Sequence, residues 1–387
     1  MVEWKKLGEV CQVLNGFAFK SLEYVPEGIR IIRISDVQNG YISDKDKVFY
    51  PIEKLSEFKR YLLNNGDLVM SLTGNPGRVA FIRNESCALN QRVACLRAKT
   101  VSNSYLFYLF NCKEFESIAF ANSTGGAQKN LSTTWLNSFL IPIPSLEEQT
   151  RIVGILDTFT SAIDNLKEQI AQRRKQYEYY RDQLLDLEGK EGVEMKTLGE
   201  LFTFKNGLNK GKEYFGKGKP IIMFSNVFNS RHIDSTMIKS RVEISDNELE
   251  RINAKLGDVF FTRTSETKED VGYASVLVED VGDCTFAGFL IRARPNTNDL
   301  IPEYCKYCFS TQKIRNAIVN NSSFTTRASL TGGGLSSISI PLPPLAEQQR
   351  IVSILDTFEA SIANLKAQLK QREKQYEYYR NKLLTFE

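Results

Sequence analysis

Histidine is almost missing from this sequence, because His232 is the only one among 387 residues. One histidine leaves little scope for the imidazole-based triads of hydrolases or for the His-rich ligand sets of zinc enzymes. The sequence also lacks any run of about 18 consecutive apolar residues, the length that a membrane helix requires. The N-terminus has no apolar segment behind Lys5 and Lys6, so we expect neither a membrane span nor a secretory signal.

Cysteine supplies seven residues, an odd number scattered along the chain. This pattern favours reduced thiols and a cytoplasmic location over a disulfide framework. Cys305 and Cys308 have the spacing of half a metal site, but no second pair accompanies them. We therefore predict two packed thiols on a helix.

Motifs for cofactors are missing as well. Neither Gly-x-Gly-x-x-Gly nor the Asn/Asp-Pro-Pro-Tyr/Phe motif of adenine methyltransferases occurs. The glycines that follow Thr331 lack the Lys-Ser/Thr of a phosphate-binding loop and predict a flexible turn. We expect no metal, no cofactor and no catalytic residue in this chain.

The net charge of +4 permits a nucleic-acid partner without demanding one. Most of the positive excess lies in two long segments, since residues 1–140 carry a net charge of +4 and residues 190–339 a net charge of +2. The segment 141–189 between them is negative.

A repeat organises the chain. Residues 141–188 align without gaps with residues 340–387, and 31 of the 48 positions are identical. The long segments repeat more weakly: Asn15-Gly16 matches Asn206-Gly207, and Gly66-Asp67 matches Gly257-Asp258. The predicted organisation is therefore a variable domain, a helical segment, a second variable domain and a second helical segment, with the bounds 1–140, 141–189, 190–339 and 340–387.

Each near-invariant segment predicts one long helix. Pro142 and Pro144 favour an extended entry, and apolar residues then recur with alternating spacings of four and three, the 3.5-residue period of a coiled coil. About 40 helical residues at ~1.5 Å each span roughly 60 Å. The predicted pairing residues are Ile152, Leu156, Phe159, Ile163, Leu166, Ile170 and Tyr177 in the first copy, and Ile351, Leu355, Phe358, Ile362, Leu365, Leu369 and Tyr376 in the second.

Connectivity predicts that the two helices pair antiparallel. The first helix ends where the second variable domain begins, and the second helix starts on leaving that domain. An approximate internal two-fold axis would follow. Arg173 and Arg372 occupy the same register within the apolar stripe, and two interpretations stay open. They either extend to the surface or to a nearby carboxylate, or they specify register or contact a third chain.

The variable domains predict a mixed α/β fold. Strand-like runs occur at 29–34, 67–72, 79–82 and 92–96, separated by Gly- and Asn-rich turns. Helical spacing follows over 105–120, and then a polar loop over 123–130. The second domain repeats this order, with a helix predicted over 304–319 and a loop over 322–334.

Several loops combine Arg or Lys with Asn, Gln, Ser or Thr, side chains that suit phosphate contacts and base edges. Any single such residue is more often an ordinary surface group, so the interpretation depends on their recurrence in two related domains. The candidate DNA-binding residues are Lys20, Arg33, Ser35, Asn75, Arg78, Gln91, Arg92, Gln128, Lys129 and Asn130 in the first domain, and Lys210, Asn226, Arg263, Thr264, Thr326 and Arg327 in the second.

The segments 141–149 (IPIPSLEEQ) and 340–348 (IPLPPLAEQ), each opening a long helix, closely resemble the specificity subunits of type I restriction-modification systems. So does 128–132 (QKNLS) shortly before the first of them. In the second copy we pair Thr331–Gly334 with Gln128–Asn130, and therefore carry no shared contact over to that position.

The resemblance implies an α+β protein in which two related target recognition domains are joined by an antiparallel coiled coil of two helices, with pseudo-two-fold symmetry. Each domain would recognise one half of a bipartite sequence in double-stranded DNA, and the helices would set the spacing between the halves. Two modification subunits, which use S-adenosylmethionine, would dock along the helices, and restriction subunits would join through them. No membrane partner is implied.

Two other functions stay open. The chain could be a methyltransferase acting alone, although the missing cofactor motifs argue against it. It could also be a coiled-coil scaffold without a nucleic-acid role.

Overall fold

The computed structural model describes residues 2–83, 86–126 and 128–386. The chain forms two compact units: unit 1 is Met1–Lys167 with Gln368–Glu387, and unit 2 is Glu168–Ala367. Each unit therefore contains one variable domain and a portion of each long helix. Among the described residues, no helix combines the length and the apolar content that crossing a bilayer requires.

Unit 1 begins with ten strands and five short helices. They are β1 (Glu3–Lys6), α1 (Leu7–Val10), β2 (Cys11–Asn15), β3 (Ile29–Ile32), β4 (Phe49–Tyr50), α2 (Leu55–Phe58), β5 (Leu62–Leu63), β6 (Leu68–Ser71), β7 (Val79–Phe81), β8 (Cys87–Leu89), β9 (Val93–Ala98), α3 (Asn103–Phe110), α4 (Lys113–Ala121), α5 (Thr133–Ser138) and β10 (Leu140–Ile143). The first long helix, α6 (Leu146–Leu185), follows.

The strands of unit 1 form two four-stranded sheets, β2-β9-β6-β7 and β4-β3-β8-β5, and the separate pair β1-β10. Only β3 and β8 run parallel within these sheets. Leu68, Val69 and Met70 on β6 are fully buried, because this strand packs on both of its faces. All four predicted strand regions are confirmed, with ends that shift by at most two residues.

Unit 2 repeats this order with several additions. Its elements are β11 (Glu194–Thr197), α7 (Leu198–Leu201), β12 (Phe202–Asn206), β13 (Phe215–Ile222), α8 (Phe224–Phe228), β14 (His232–Ile233), β15 (Arg241–Val242), α9 (Asp246–Arg251), β16 (Val259–Thr262), β17 (Thr264–Ser265), β18 (Ala274–Leu277), β19 (Thr285–Phe286), β20 (Leu290–Pro295), α10 (Pro302–Cys308), α11 (Gln312–Asn320), β21 (Ser323–Phe324), β22 (Ala328–Ser329), α12 (Gly332–Ser336) and β23 (Ser339–Leu342). The second long helix, α13 (Leu345–Leu384), closes the chain.

Four sheets form in unit 2: β12-β20-β16-β18-β14, β15-β13-β19, β17-β22-β21 and the pair β11-β23. The pairs β1-β10 and β11-β23 are equivalent, and each joins the start of a variable domain to the strand that leads into a long helix.

The prediction of one continuous helix over 105–120 and over 304–319 is wrong. Each region contains two helices, α3 with α4 and α10 with α11. The second helix of each pair has its own N-cap, where the Cys112 sulfur and the Thr311 hydroxyl accept hydrogen bonds from the amides of Phe115 and Ile314. A capping residue has a non-helical backbone, so the preceding helix ends there.

The predicted loop over 322–334 is also wrong in part. It contains the hairpin β21-β22 and the start of α12. The glycines after Thr331 begin this short helix rather than form a flexible turn, because the Thr331 hydroxyl accepts from the amide of Gly334 at 3.1 Å. Cys305 and Cys308 are packed thiols, as predicted: both are buried on α10, and burial raises the pKa of Cys308 to about 12.

The two long helices are 40 residues each and pair antiparallel, as predicted. In unit 1 the rings of Phe159 and Tyr379 stack with centroids 5.3 Å apart, and in unit 2 the rings of Phe358 and Tyr180 stack at 5.6 Å. In both pairs a residue early in one helix contacts a residue late in the other. Phe159 and Phe358 are equivalent in the repeat, as are Tyr379 and Tyr180, so the same stacked pair occurs once in each unit.

The predicted pairing residues are all buried or half-buried. Those at the start of each helix also pack on the variable domain of their own unit: Ile152 and Leu156 join Tyr105 and Tyr108 in one apolar cluster.

Arg173 and Arg372 lie over aromatic rings of the opposite helix. The Arg173 guanidinium is 5.9 Å from the Phe358 ring centroid, and the Arg372 guanidinium is 5.8 Å from the Phe159 ring centroid. Each pair lies within one unit. This geometry agrees with the interpretation that both arginines extend to the surface of the helix pair.

Candidate nucleic-acid interface

Three loops of unit 1 meet where β6 ends. The amide of Leu72 donates to the carbonyl of Arg92 at 3.0 Å, and the amide of Leu131 donates to the carbonyl of Leu72 at 2.7 Å. The amide of Gly74 donates to the carbonyl of Lys129 at 2.9 Å. Residues 72–78, 90–92 and 128–131 therefore lie side by side, and we call them loop cluster 1.

A glycine lets one turn of this cluster pass close to α4. Gly77 has a φ of +93°, in the left-handed region that favours glycine, and a Cβ atom there would lie 2.9 Å from Cβ of Ala119 on α4. The loop can therefore pass close to the helix only without a side chain at this position.

Loop cluster 1 brings together seven of the ten candidates predicted in the first domain: Asn75, Arg78, Gln91, Arg92, Gln128, Lys129 and Asn130. Arg78 donates to the Gln38 amide oxygen at 3.0 Å, and Asn130 accepts from the Thr73 hydroxyl at 2.9 Å. The Lys129 ammonium is 5.4 Å from the Phe120 ring centroid. Asn75, Gln91, Arg92 and Gln128 are exposed. Such groups can contact phosphates and base edges.

The other three candidates lie outside this cluster. The Arg33 guanidinium donates to the Asp46 carbonyl at 2.6 Å and to Asp36 at 3.4 Å, so it holds the loop that follows β3. Ser35 donates to the same Asp36 carboxylate at 3.2 Å. Lys20 is exposed and forms a 3.7 Å ion pair with Glu23.

Unit 2 builds the same junction at the end of β16. The amide of Arg263 donates to the carbonyl of Phe289 at 2.8 Å, and the amide of Leu330 donates to the carbonyl of Arg263 at 2.9 Å. Pairing of β17 with β22 completes the junction. We call residues 263–273, 287–289 and 322–330 loop cluster 2. It brings together the candidates Arg263, Thr264, Thr326 and Arg327.

Lys210 and Asn226 lie apart from loop cluster 2 and make internal bonds. The Lys210 ammonium donates to Glu248 at 2.8 Å and to the Glu243 carbonyl at 3.1 Å. Asn226 accepts from the amide of Met223 and donates to the carbonyl of Met237, both at 2.8 Å. Their hydrogen bonds stabilise loops within unit 2.

The pairing of Thr331–Gly334 with Gln128–Asn130 is wrong. Thr331 and Ser132 are equivalent N-caps, of α12 and α5. Asn130 pairs with Thr73 and with Thr124, and Ser329 pairs in the same way with Thr264 and with Ser323. Ser329 is therefore equivalent to Asn130, and the segment Arg327–Ser329 of unit 2 is equivalent to Gln128–Asn130 of unit 1.

Buried glutamines join each variable domain to its helix, and the sequence analysis missed them. Gln149 is 1% exposed; its oxygen accepts from the amide of Ser102, and its nitrogen donates to the carbonyl of Pro144, both at 2.9 Å. Gln348 is fully buried and repeats this arrangement with Ile301 and Pro343, adding a bond to the carbonyl of Asp299. Their presence in both copies of the repeated motif was the available signal.

Two tyrosines reinforce each junction. Tyr105 and Tyr304 donate to the carbonyls of Pro142 and Pro341, both at 2.9 Å. Tyr108 donates to Asp157 at 2.5 Å, and Tyr307 donates to Asp356 in the same way. Burial, and then the neighbouring carboxylate, raise the pKa of both Tyr108 and Tyr307. The near-invariant segments are thus repeated because they carry the same domain contacts twice.

Comparison with known proteins identifies the family. The family model described as "Type I restriction modification DNA specificity domain" matches residues 1–173 and again 190–373. The chain belongs to the type I restriction-modification specificity family. It is 26% identical to the Escherichia coli K12 EcoKI specificity subunit, covering 93% of this chain and 84% of that protein.

Other relatives agree with this assignment. The specificity subunit of E. coli EcoR124I/EcoR124II is 31% identical over 78% of this chain and 75% of that protein. The crystal structure of the S subunit from M. genitalium has the same fold, with a TM-score of 0.57 at 15% identity and coverage of 100% of this chain and 97% of that chain. Sequence and fold therefore both relate this chain to specificity subunits.

Proposed function

We propose that this specificity subunit binds double-stranded DNA in a sequence-specific way, and that each unit recognises one half of a bipartite target. The observation that carries this proposal is the duplicated loop cluster. Hydrogen bonds place three loops identically at the ends of β6 and β16, while the exposed side chains on those loops differ. A shared scaffold with different contact residues is what a protein needs in order to recognise two different sequences.

The polar side chains of both loop clusters fit the chemistry of the duplex. Arg92 and Lys129 in loop cluster 1, and Arg263 and Arg327 in loop cluster 2, supply cations for phosphates or for guanine. Asn75 and Gln91 carry amides, which suit adenine. Binding of this kind weakens as the salt concentration rises.

The helix pair sets the separation of the half-sites in this proposal. Antiparallel stacking of Phe159 on Tyr379, and of Phe358 on Tyr180, fixes the register of α6 against α13. A fixed register holds the two DNA-binding loop clusters at one spacing, so that the gap between half-sites is geometric.

Two modification subunits dock along the helices in the same proposal. Tyr179 and Tyr378 support it, because they are equivalent, 59% and 61% exposed, and lie away from the helix seam. Large exposed side chains repeated at equivalent positions suit two identical partners. Restriction subunits join through the modification subunits, all in the cytoplasm, and methyl transfer and cleavage belong to those subunits rather than to this chain.

Domain exchange tests the proposal. The full complex with its modification subunits should methylate a bipartite sequence, which sequencing of methylated genomic DNA reports. Exchange of residues 1–140 for those of another specificity subunit should change one half-site and leave the other half-site and the spacing unaltered. A change in both halves would contradict the proposal, as would methyl transfer by the purified chain alone.

A further inference from the structure

Loop cluster 2 exposes an aromatic ring where loop cluster 1 exposes a cation. The carbonyl of Arg92 accepts from the amide of Leu72, and the carbonyl of Phe289 accepts from the amide of Arg263. Leu72 and Arg263 are the residues that follow the equivalent strands β6 and β16. Arg92 and Phe289 therefore occupy the same place, and the Phe289 side chain is 60% exposed.

A second phenylalanine belongs to the same loop cluster. Thr124 and Ser323 are equivalent, because they pair with Asn130 and Ser329 respectively. The residue that follows is Gly125 in unit 1 and Phe324 in unit 2, where the side chain is 51% exposed. Unit 2 has thus gained apolar surface at two positions of this cluster.

The surroundings of Phe289 favour a base edge over a phosphate. Phe289 lines an open cavity of about 420 Å³ together with Phe228, the carboxylates of Glu266 and Asp270, and the guanidinium of Arg327. The two carboxylates outnumber the single guanidinium, which lies 4.0 Å from the Glu266 carboxylate, so the negative excess disfavours a phosphate in this cavity. The phenyl ring offers no hydrogen bond, so it can distinguish bases only through an apolar group. In the grooves of DNA that group is the 5-methyl of thymine.

We propose that Phe289 is a specificity-determining residue that packs against the methyl group of a thymine in the half-site recognised by unit 2. Arg92, at the same place in unit 1, contacts guanine or a phosphate instead. The two half-sites therefore differ at the corresponding position. This inference rests on the proposed function, because it requires that loop cluster 2 contacts DNA.

Replacement of thymidine by deoxyuridine tests this contact, since it removes only the methyl group. The probe is a synthetic duplex carrying the bipartite sequence that the wild-type complex methylates, and binding is measured with the complete complex. Deoxyuridine at one thymine position of the unit 2 half-site should weaken binding by about fourfold, the effect of losing one buried methyl group. The same replacement in the other half-site measures whether unit 1 contacts a thymine methyl group.

Variants make the assignment specific to Phe289. Phe289→Ala should bind thymidine and deoxyuridine duplexes equally, whereas Phe289→Leu should keep part of the preference for thymidine. Phe289→Arg should shift the methylated sequence towards guanine at that position only. The matched control is Leu256→Ala, because Leu256 is 57% exposed in the same unit but lies before the start of β16, whereas Phe289 is bonded to the residue after its end.

The outcomes separate this inference from the proposed function. A wild-type complex that methylates no bipartite sequence would overturn the proposed function itself. A bipartite sequence whose unit 2 half contains no thymine would overturn the role of Phe289 alone. So would equal binding of thymidine and deoxyuridine duplexes by the wild type, or an unchanged thymine preference in Phe289→Ala.

Discussion

Substitution of Gln348 by leucine isolates the polar link between the second variable domain and α13. The side chain is fully buried and makes three hydrogen bonds. Its oxygen accepts from the amide of Ile301 at 2.9 Å, and its nitrogen donates to the carbonyls of Asp299 and Pro343 at 2.7 and 2.8 Å. Leucine has a similar volume, so the substitution removes these bonds without opening a large cavity.

The magnitude follows from the bonds that are lost. An unpaired buried donor costs about 1–3 kcal/mol, and each lost neutral hydrogen bond about 0.5–1.5 kcal/mol. One unpaired amide and two lost donations therefore predict a loss of roughly 4 kcal/mol in the stability of unit 2. Gln149→Leu removes one donation fewer and should cost unit 1 roughly 3 kcal/mol.

Hydrogen exchange of the Ile301 amide is the most direct assay, because that amide loses its acceptor. Its protection should fall about tenfold for every 1.4 kcal/mol of stability lost. The control is Gln172→Leu, since the Gln172 side chain is exposed on α6 and donates only to Glu168, at 3.0 Å. This control should change stability by no more than about 0.5 kcal/mol. Unchanged protection of Ile301 in Gln348→Leu would refute the assigned link.

Three other predictions concern the helix pair, a carboxylate and a glycine. Removal of residues 161–167 alone should abolish methylation, because the shortened α6 can no longer keep both aromatic stacks with α13. Removal of residues 371–377 as well should restore methylation. The spacer between the half-sites should then be about three base pairs shorter, because seven residues span ~10.5 Å of helix and a base pair spans ~3.4 Å. The Lys210 ammonium, and then bonds from Ser245, lower the pKa of Glu248 from 4.5 to about 2. This carboxylate therefore stabilises the fold above about pH 4.5 and loses that effect as the pH falls towards 2, and Lys210→Met should raise its pKa in an NMR titration. Gly272→Ala should lower the melting temperature more than Gly282→Ala. Both glycines have a positive φ, but only at Gly272 would a Cβ atom clash with the Ile318 side chain, at 2.3 Å. Equal losses of melting temperature would contradict this steric account.

The long helices could be predicted from the sequence because their apolar residues recur periodically and the pattern is present in both copies of the repeat. Each apolar position from Ile152 onwards recurs in the second copy, and antiparallel pairing followed from connectivity alone. The strands β3, β6, β7 and β9 were predictable as well, because buried strands carry continuous apolar runs between turn residues.

The breaks between helices could not be predicted in the same way. Cys112 and Thr311 end the helices before them by capping the helices after them, and cysteine is an uncommon cap. The helical spacing of the apolar residues continues across the break and conceals it.

Membership of the candidate site was only partly predictable. Composition alone could not distinguish Arg92, which is exposed, from Arg33 and Lys210, which bind carbonyls and carboxylates of their own unit. Phe289 was missed because an apolar residue beside a strand suggests core. Its place became apparent only when the backbone hydrogen bonds aligned the two units.

The equal length of the long helices constrains how this chain can change. One backbone hydrogen bond closes the equivalent hairpin in each unit, from the amide of Gly77 to the carbonyl of Ser71 in unit 1 and from the amide of Gly272 to the carbonyl of Thr262 in unit 2. The loop closed by this bond has four more residues in unit 2 than in unit 1. Loops absorb such insertions at little entropic cost. A single residue inserted into α6 or α13 would instead rotate everything beyond it by about 100° and turn the apolar stripe away from its partner. Evolution can therefore vary the length of the contact loops freely, whereas the helices can gain or lose residues only in multiples that restore their phase.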